Sequence, residues 1–148
     1  SLWSIKKFKS QLKTMFFKKD DKNNDLVKVA ALLVHAAKID ENLSKREEEI
    51  ICKALLNLGA ENQNLEKIFK DAKILEENTN QILDFTKEVK IMGEEKKIKI
   101  IETLWRIIYS NKEADMYETN LMRRLAGLMY IDNKIMGDIK EKIKKENQ

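Results

Sequence analysis

Turn-forming residues are scarce in this sequence. The chain has no proline and only four glycines among its 148 residues. Tight hairpins need glycine, Asn-Gly or proline at fixed positions, whereas long helices need none of these. Because 43% of the residues are hydrophobic, a chain of this length can still bury a core of its own. The composition therefore argues against a many-stranded sandwich or barrel and predicts an all-α domain.

Cysteine and long apolar runs are scarce as well. Cys52 is the only cysteine, so an internal disulfide is excluded and a cysteine-based zinc site lacks a second thiolate. The longest apolar run, Val29 to Val34, has six residues, whereas a membrane-spanning helix needs about 20. These absences predict a cytoplasmic protein without a membrane span.

Motifs typical of enzymes are missing. No G-x-x-x-x-G-K-[ST], G-x-G-x-x-G or G-x-S-x-G stretch occurs, so a phosphate-cradling loop and an esterase nucleophile lose their usual sequence support. His35 lies beside an apolar helical stripe, and Cys52 has apolar neighbours. We interpret both as structural residues and not as a catalytic pair. We therefore expect a protein that is not an enzyme.

Positive charge is concentrated in residues 1–19, which we call the leader. The leader holds six lysines and no acidic residue, whereas the whole chain has a net charge of +4, so residues 20–148 carry −2. A protein that binds nucleic acid mainly through phosphates shows a basic face across its fold. Nucleic acid is therefore not an expected partner.

Apolar residues of the leader recur at three- and four-residue steps, which predicts a basic amphipathic helix. Such a helix packs on a neighbouring domain, or it lies in a membrane interface where each lysine gains about 1 kcal/mol near anionic lipid. The sequence leaves both alternatives open. The residues that we assign to membrane or partner contact are Trp3, Lys6, Lys7, Phe8, Lys13 and Phe16.

The polar segment 20–25 (DDKNND) is expected to be a linker between the leader and a helical domain that spans residues 26–146. Ser44 and Glu47 have the spacing of a capping box, and Gly59 is expected to end the helix that this box begins. The apolar stripes that predict helices in the domain are Leu26–Ala37, Ile50–Leu58, Leu65–Leu75, Ile82–Val89, Ile98–Ile108 and Leu121–Met129, followed by a charge-rich helix to about Lys145.

The chain contains an internal repeat with a period of 71 residues. Both copies are read as a helix, an acidic loop and a capped helix, and this period predicts two pseudo-symmetric halves that share one core. The shift pairs Leu33 with Leu104, Asp40 with Asn111, Ser44 with Asp115 and Glu47 with Glu118.

These loops resemble the half-repeats of the TerB-like (tellurite resistance protein B) family, which have the pattern A-x-x-D-G-x-[VL]-S-x-x-E. The first copy here is the segment from Ala37 to Glu47, AKIDENLSKRE. The chain is most similar to the small stand-alone bacterial members, through residues 31–35 (ALLVH), Phe85-Thr86 and the late W-x-I-x-Y at 105–109. The resemblance covers residues 24 to about 138 and implies a compact bundle of about seven helices.

The resemblance also implies an acidic metal site where the halves meet. Carried over by motif position, the ligands are Asp40, Glu47, Asn111 and Glu118, an all-oxygen set that suits Ca²⁺ or Mg²⁺. The sequence departs from the motif at Glu41 and Lys112, which replace glycine, and at Asn111, which replaces aspartate. Glu47 and Glu118 also fit capping boxes that need no metal, so this alternative stays open.

The function that the resemblance implies is a non-enzymatic interaction module with protein partners, tuned by a divalent ion, in a bacterial stress or envelope-linked response. The alternative that the leader suggests is a peripheral adaptor, which an anionic membrane surface would hold at the inner face of the membrane. A metal-dependent hydrolase is the weakest of the three hypotheses.

Overall fold

A computed structural model describes residues 2–38, 43–80, 82–110 and 116–146, without the side chains of residues 10–21, 83, 116 and 117. In these ranges the chain forms seven α-helices, one 3₁₀ turn at Asn62–Asn64 and no strand. The all-α prediction is confirmed. The helices are α1 (Leu2–Ala37), α2 (Lys45–Asn57), α3 (Leu65–Glu77), α4 (Leu83–Lys90), α5 (Glu94–Tyr109), α6 (Met116–Leu128) and α7 (Asn133–Glu146).

The leader and the first domain helix form one continuous helix, α1. The break in the helix that the polar segment 20–25 predicts is not present, because α1 continues through this segment. The segment has no proline or glycine, and aspartate and asparagine each cost no more than about 0.7 kcal/mol relative to alanine inside a helix. Extending an existing helix is far less costly than starting a new one. The packed residues that follow therefore hold the polar segment helical.

The core lies around α1 and α5. All six residues of the run Val29–Val34 are fully buried, as are Ile100, Ile101 and Leu104 on α5. A helix that is apolar on every side is expected to be surrounded by other helices. The second half of α1 indeed contacts α2, α3, α4 and α5.

The two halves of the chain pack in a similar way and share this core. α1 packs most extensively on α3, and α5 packs most extensively on α7. α5 also contacts α1 and α2, so the halves meet through their first helices. None of the helices in the described part of the chain combines the length and the apolarity that crossing a membrane requires.

The helix that follows the first acidic loop, α2, ends in a Schellman motif. The N–H of Gly59 donates to the carbonyl of Leu56, and the N–H of Ala60 donates to the carbonyl of Leu55. Gly59 has a φ of 103°, a conformation in which a side chain is strained. The prediction that Gly59 ends α2 is confirmed.

The same motif ends α6, 71 residues later. The N–H of Tyr130 donates to the carbonyl of Gly127, and that of Ile131 donates to the carbonyl of Ala126. Tyr130 has a φ of 56° and is the repeat equivalent of Gly59. Because α2 and α6 also begin and end 71 residues apart, the repeat extends to the backbone hydrogen bonds.

Candidate functional site

The first carboxylate of the predicted metal site, that of Glu47, belongs to a complete capping box. The hydroxyl of Ser44 accepts a 3.1 Å hydrogen bond from the N–H of Glu47, and Oε1 of Glu47 accepts a 3.0 Å bond from the N–H of Ser44. Among the residues that the structure describes, Glu47 is the one charged residue that is buried. The capping interpretation of Glu47 is therefore confirmed.

The second carboxylate, that of Glu118, lies in the first turn of α6 and is half-buried. It lies close enough to Tyr109, at the end of α5, to influence its ionisation. Burial raises the pKa of the Tyr109 hydroxyl, and the negative charges of Glu141 and Glu118 raise it further. Glu118 therefore contributes negative charge near the point where α5, α6 and α7 meet.

The two loop ligands of the predicted site, Asp40 and Asn111, lie outside the described residues. Among the residues that are described, no three acidic, histidine or cysteine side chains lie together in a way that could hold a metal ion. Carboxylate oxygens are suitable donors for Ca²⁺ or Mg²⁺, and Glu47 and Glu118 supply them from equivalent positions of the two halves. The four-residue metal site stays a prediction.

The first turns of α1 expose large apolar side chains. Leu2, Trp3, Ile5 and Phe8 are 56 to 75% exposed, and every residue from 2 to 9 is exposed. This part of the leader therefore does not pack on the domain. The side chains of Lys13 and Phe16, which belong to the same predicted contact set, lie outside the described residues.

These exposed residues are arranged in two groups on the helix. Leu2, Ile5 and Phe8 follow one another at three-residue steps and share one side. Trp3 lies outside this row, about 100° around the helix from Leu2, and the Nζ atom of Lys7 lies 5.1 Å from the centroid of its ring. The helix thus presents apolar surface with ammonium groups next to it.

His35 and Cys52 have ordinary structural surroundings. Nδ1 of His35 lies 3.3 Å from Oε1 of Glu76, and its ring centroid lies 6.2 Å from that of Phe85. Burial raises the pKa of the half-buried Cys52 thiol, and the charge of Glu48 raises it further. A raised pKa disfavours the thiolate that a nucleophile needs, so these contacts agree with the structural interpretation of both residues.

One groove, between α5, α6 and α7, was not predicted from the sequence. It has a volume of about 370 Å³ and is lined by residues that include Trp105, Arg123 and Lys140. Trp105 is only 3% exposed, so most of its side chain belongs to the core while part of it borders the groove. The one local signal for a groove is Gly137, a helix-interior glycine that also lines it.

Comparison with known protein families gives a match over most of the chain. A family model described as tellurite resistance protein TerB matches residues 26–141, which is most of the chain. The match begins at Leu26, which is buried, and leaves out the leader. No curated protein and no solved structure matches the chain.

Proposed function

The chain belongs to the tellurite resistance protein TerB family, and from this premise we propose that it is a non-enzymatic interaction module, which its leader holds at an anionic membrane surface. In this proposal the leader binds the lipid surface and the TerB domain recruits protein partners. A role in a bacterial stress or envelope-linked response is the part that rests on family membership alone.

The observation that carries the proposal is the exposure of Leu2, Ile5 and Phe8 on one side of α1. The free energy of the system falls when apolar side chains of this size leave water. Lys6, Lys7 and Lys9 lie on the same turns, and each contributes about 1 kcal/mol near anionic lipid. Apolar and cationic groups on one exposed helix favour an interface position at a negatively charged bilayer.

The test is co-sedimentation of the full chain with vesicles of phosphatidylcholine, with and without phosphatidylglycerol. We expect the protein to pellet with the anionic vesicles at low salt and to be released as salt screens the lysines. The double variant Ile5→Ser/Phe8→Ser should stay in the supernatant. Because both side chains are exposed, these substitutions leave the core intact.

The matched control is Ile91→Ser, which removes an even more exposed apolar side chain from the turn after α4. This variant should pellet like the parent chain. The proposal is wrong if the parent chain ignores anionic vesicles at low salt, or if the double variant pellets as well as the control does.

Binding of a divalent ion between the halves is the second candidate function, favoured by the equivalent positions of Glu47 and Glu118. Chelator-treated protein would be titrated with Ca²⁺ and Mg²⁺ in a calorimeter, beside the variant Glu47→Gln. Glutamine can replace glutamate in a capping box, so this variant keeps the helix cap and removes a charged ligand. Saturable binding that the variant loses would support the metal site, whereas the absence of heat in the parent chain would leave Glu47 with its capping role.

A further inference from the structure

We propose that the groove between α5, α6 and α7 is a binding site for a small amphiphilic carboxylate. Its volume of about 370 Å³ lies at the lower end of the range for small-molecule pockets. Its wall combines cationic groups, a tryptophan and methionines. The site lies in the domain and goes beyond the membrane and metal proposals.

The charges of the groove are of one sign. Among the described residues that line it, Arg123 and Lys140 are charged, and none is acidic. Neither cation forms an ion pair within the described part of the chain. The Nζ atom of Lys140 lies 5.4 Å from the centroid of the Trp105 ring. Glu118 and Glu141 lie near Tyr109, but neither lines the groove. A guanidinium and an ammonium as the charged groups of the described lining favour an anion, and the guanidinium fits a carboxylate in particular.

Trp105 supplies a hydrogen-bond donor that lacks an acceptor. Its indole Nε1 is buried and has no hydrogen-bond partner among the described residues. Buried polar groups are nearly always bonded, so an exception calls for a bound acceptor or water. Trp105 lines the groove beside Lys140, so its indole N–H is placed to report on an anion that Lys140 holds.

The apolar part of the ligand would contact Met122 and Met136, which are buried and line the groove from α6 and α7. Methionine side chains adapt to ligands of different shape. Next to Met136, Gly137 leaves open space, since a Cβ atom there would meet nothing within 4 Å. The groove therefore accepts an apolar chain or ring.

The positions of the first half that are equivalent to the groove residues hold different types of side chain. The repeat equivalents of Gly137 and Lys140 are Glu66 and Phe69, and Phe69 is partly buried against the core. Cys52 occupies the position that corresponds to Arg123. The two cations and the open position at Gly137 thus occur in the second half and not at the equivalent positions of the first half. The packing that the two halves share does not require these residues.

The test uses the indole N–H of Trp105 as the reporter in an NMR titration of the full chain with 2-naphthoate. The chain has two tryptophans, and the variant Trp3→Phe identifies the resonance of Trp105. We expect a saturable shift of this resonance. The neutral analogue 2-naphthamide should bind about ten-fold more weakly, because it lacks the charge that Arg123 and Lys140 recognise.

The decisive variants are Gly137→Leu, which fills the groove, and its control Gly127→Leu on α6. A Cβ at Gly127 also meets nothing within 4 Å, and Gly127 does not line the groove. Leucine has a higher helix propensity than glycine, so both variants should fold. Binding should be lost in the first and kept in the second. The proposal is overturned if the Trp105 resonance does not shift saturably, if 2-naphthamide binds as well as 2-naphthoate, or if Gly137→Leu binds like its control.

Discussion

Tyr130 is the residue whose backbone conformation fits its side chain least. Its φ of 56° lies in the left-handed region, which costs a residue with a side chain roughly 1 to 2 kcal/mol. The side chain is 71% exposed, and its ring centroid lies 4.4 Å from Nζ of Lys90. In the first half the same position holds glycine. Both halves thus have a left-handed residue at this position, and the strain arises because the second half places a tyrosine there.

We expect Tyr130→Gly to be more stable than Tyr130→Ala by about 1 kcal/mol in urea denaturation. Both variants lose the ring and its contact with Lys90, so their difference isolates the backbone strain. In the first half Gly59→Ala should lower the free energy of unfolding by roughly 1 to 2 kcal/mol. Equal stability of the two Tyr130 variants would show that the backbone at this position relaxes without cost.

Glu88 gives the protein a pH-dependent contact between α1 and α4. Nζ of Lys28 donates a 2.7 Å hydrogen bond to Oε1 of Glu88, and this bond is the main cause that lowers the pKa of Glu88 below its ordinary 4.5. A lowered folded-state pKa stabilises the protein above the unfolded-state value, and that stability is lost as the pH falls through the folded-state pKa. Because both side chains are partly exposed, the contribution is about 1 kcal/mol or less.

The variant Glu88→Gln tests this contact. Its free energy of unfolding should be lower than that of the parent chain at neutral pH, and the difference should shrink as the pH falls below 4.5. Urea denaturation at several pH values measures it. A difference that stays constant down to low pH would mean that the carboxylate charge of Glu88 is not what stabilises the contact.

At the scale of residues, the sequence predicts those features that depend on neighbouring residues alone, such as helix caps. The capping box of Ser44 and Glu47 follows from a spacing of three residues, and Gly59 follows from the preference of helix ends for glycine. The left-handed Tyr130 could not be predicted, because tyrosine carries no such preference. The pair of Lys28 and Glu88 could not be predicted either, since 60 residues separate its partners and only tertiary packing brings them together.

At the scale of elements, the spacing of apolar residues predicts that each helix exists, but it does not predict every residue at which a helix begins or ends. The stripe that begins at Ile98 belongs to a helix that begins at Glu94, because a polar first turn carries no apolar period. Residues 20–25 were predicted as a linker from their composition alone. Their helical state depends on the packed residues that follow, which local propensity does not include.

The cap of α2 can be tested as an element. We expect Ser44→Ala to lower the free energy of unfolding by about 1 kcal/mol, because an N–H at the start of the helix loses its acceptor. Glu47→Gln should change the stability less, since glutamine also serves in a capping box. Urea denaturation of both variants gives the comparison. If Glu47→Gln cost as much as Ser44→Ala or more, the charge of Glu47 would have a role beyond the cap.

At the scale of the whole molecule, α1 joins regions of different character. The leader is strongly basic and its described side chains are exposed, whereas residues 26–37 of the same helix belong to the core. The sequence predicted the charge asymmetry, the repeat and the family. It could not predict the groove of Trp105, Arg123 and Lys140, because three helices must pack before these side chains share a wall.

The shared core predicts that the two halves unfold together. Leu33 and Leu104 are repeat equivalents on α1 and α5, and both are fully buried. We expect Leu33→Ala and Leu104→Ala each to lower the free energy of unfolding by roughly 2 to 5 kcal/mol.

In a Trp3→Phe background, Trp105 reports on the second half, while far-ultraviolet circular dichroism reports on all helices. Because α5 packs on α1 and α2, Leu33→Ala should shift the fluorescence transition of Trp105 as far as the dichroism transition. The control Leu56→Ala, at an exposed position, should shift neither transition by much. If Leu33→Ala shifted the dichroism transition and left that of Trp105 in place, the halves would be separate folding units, and the repeat would describe two small bundles that unfold independently.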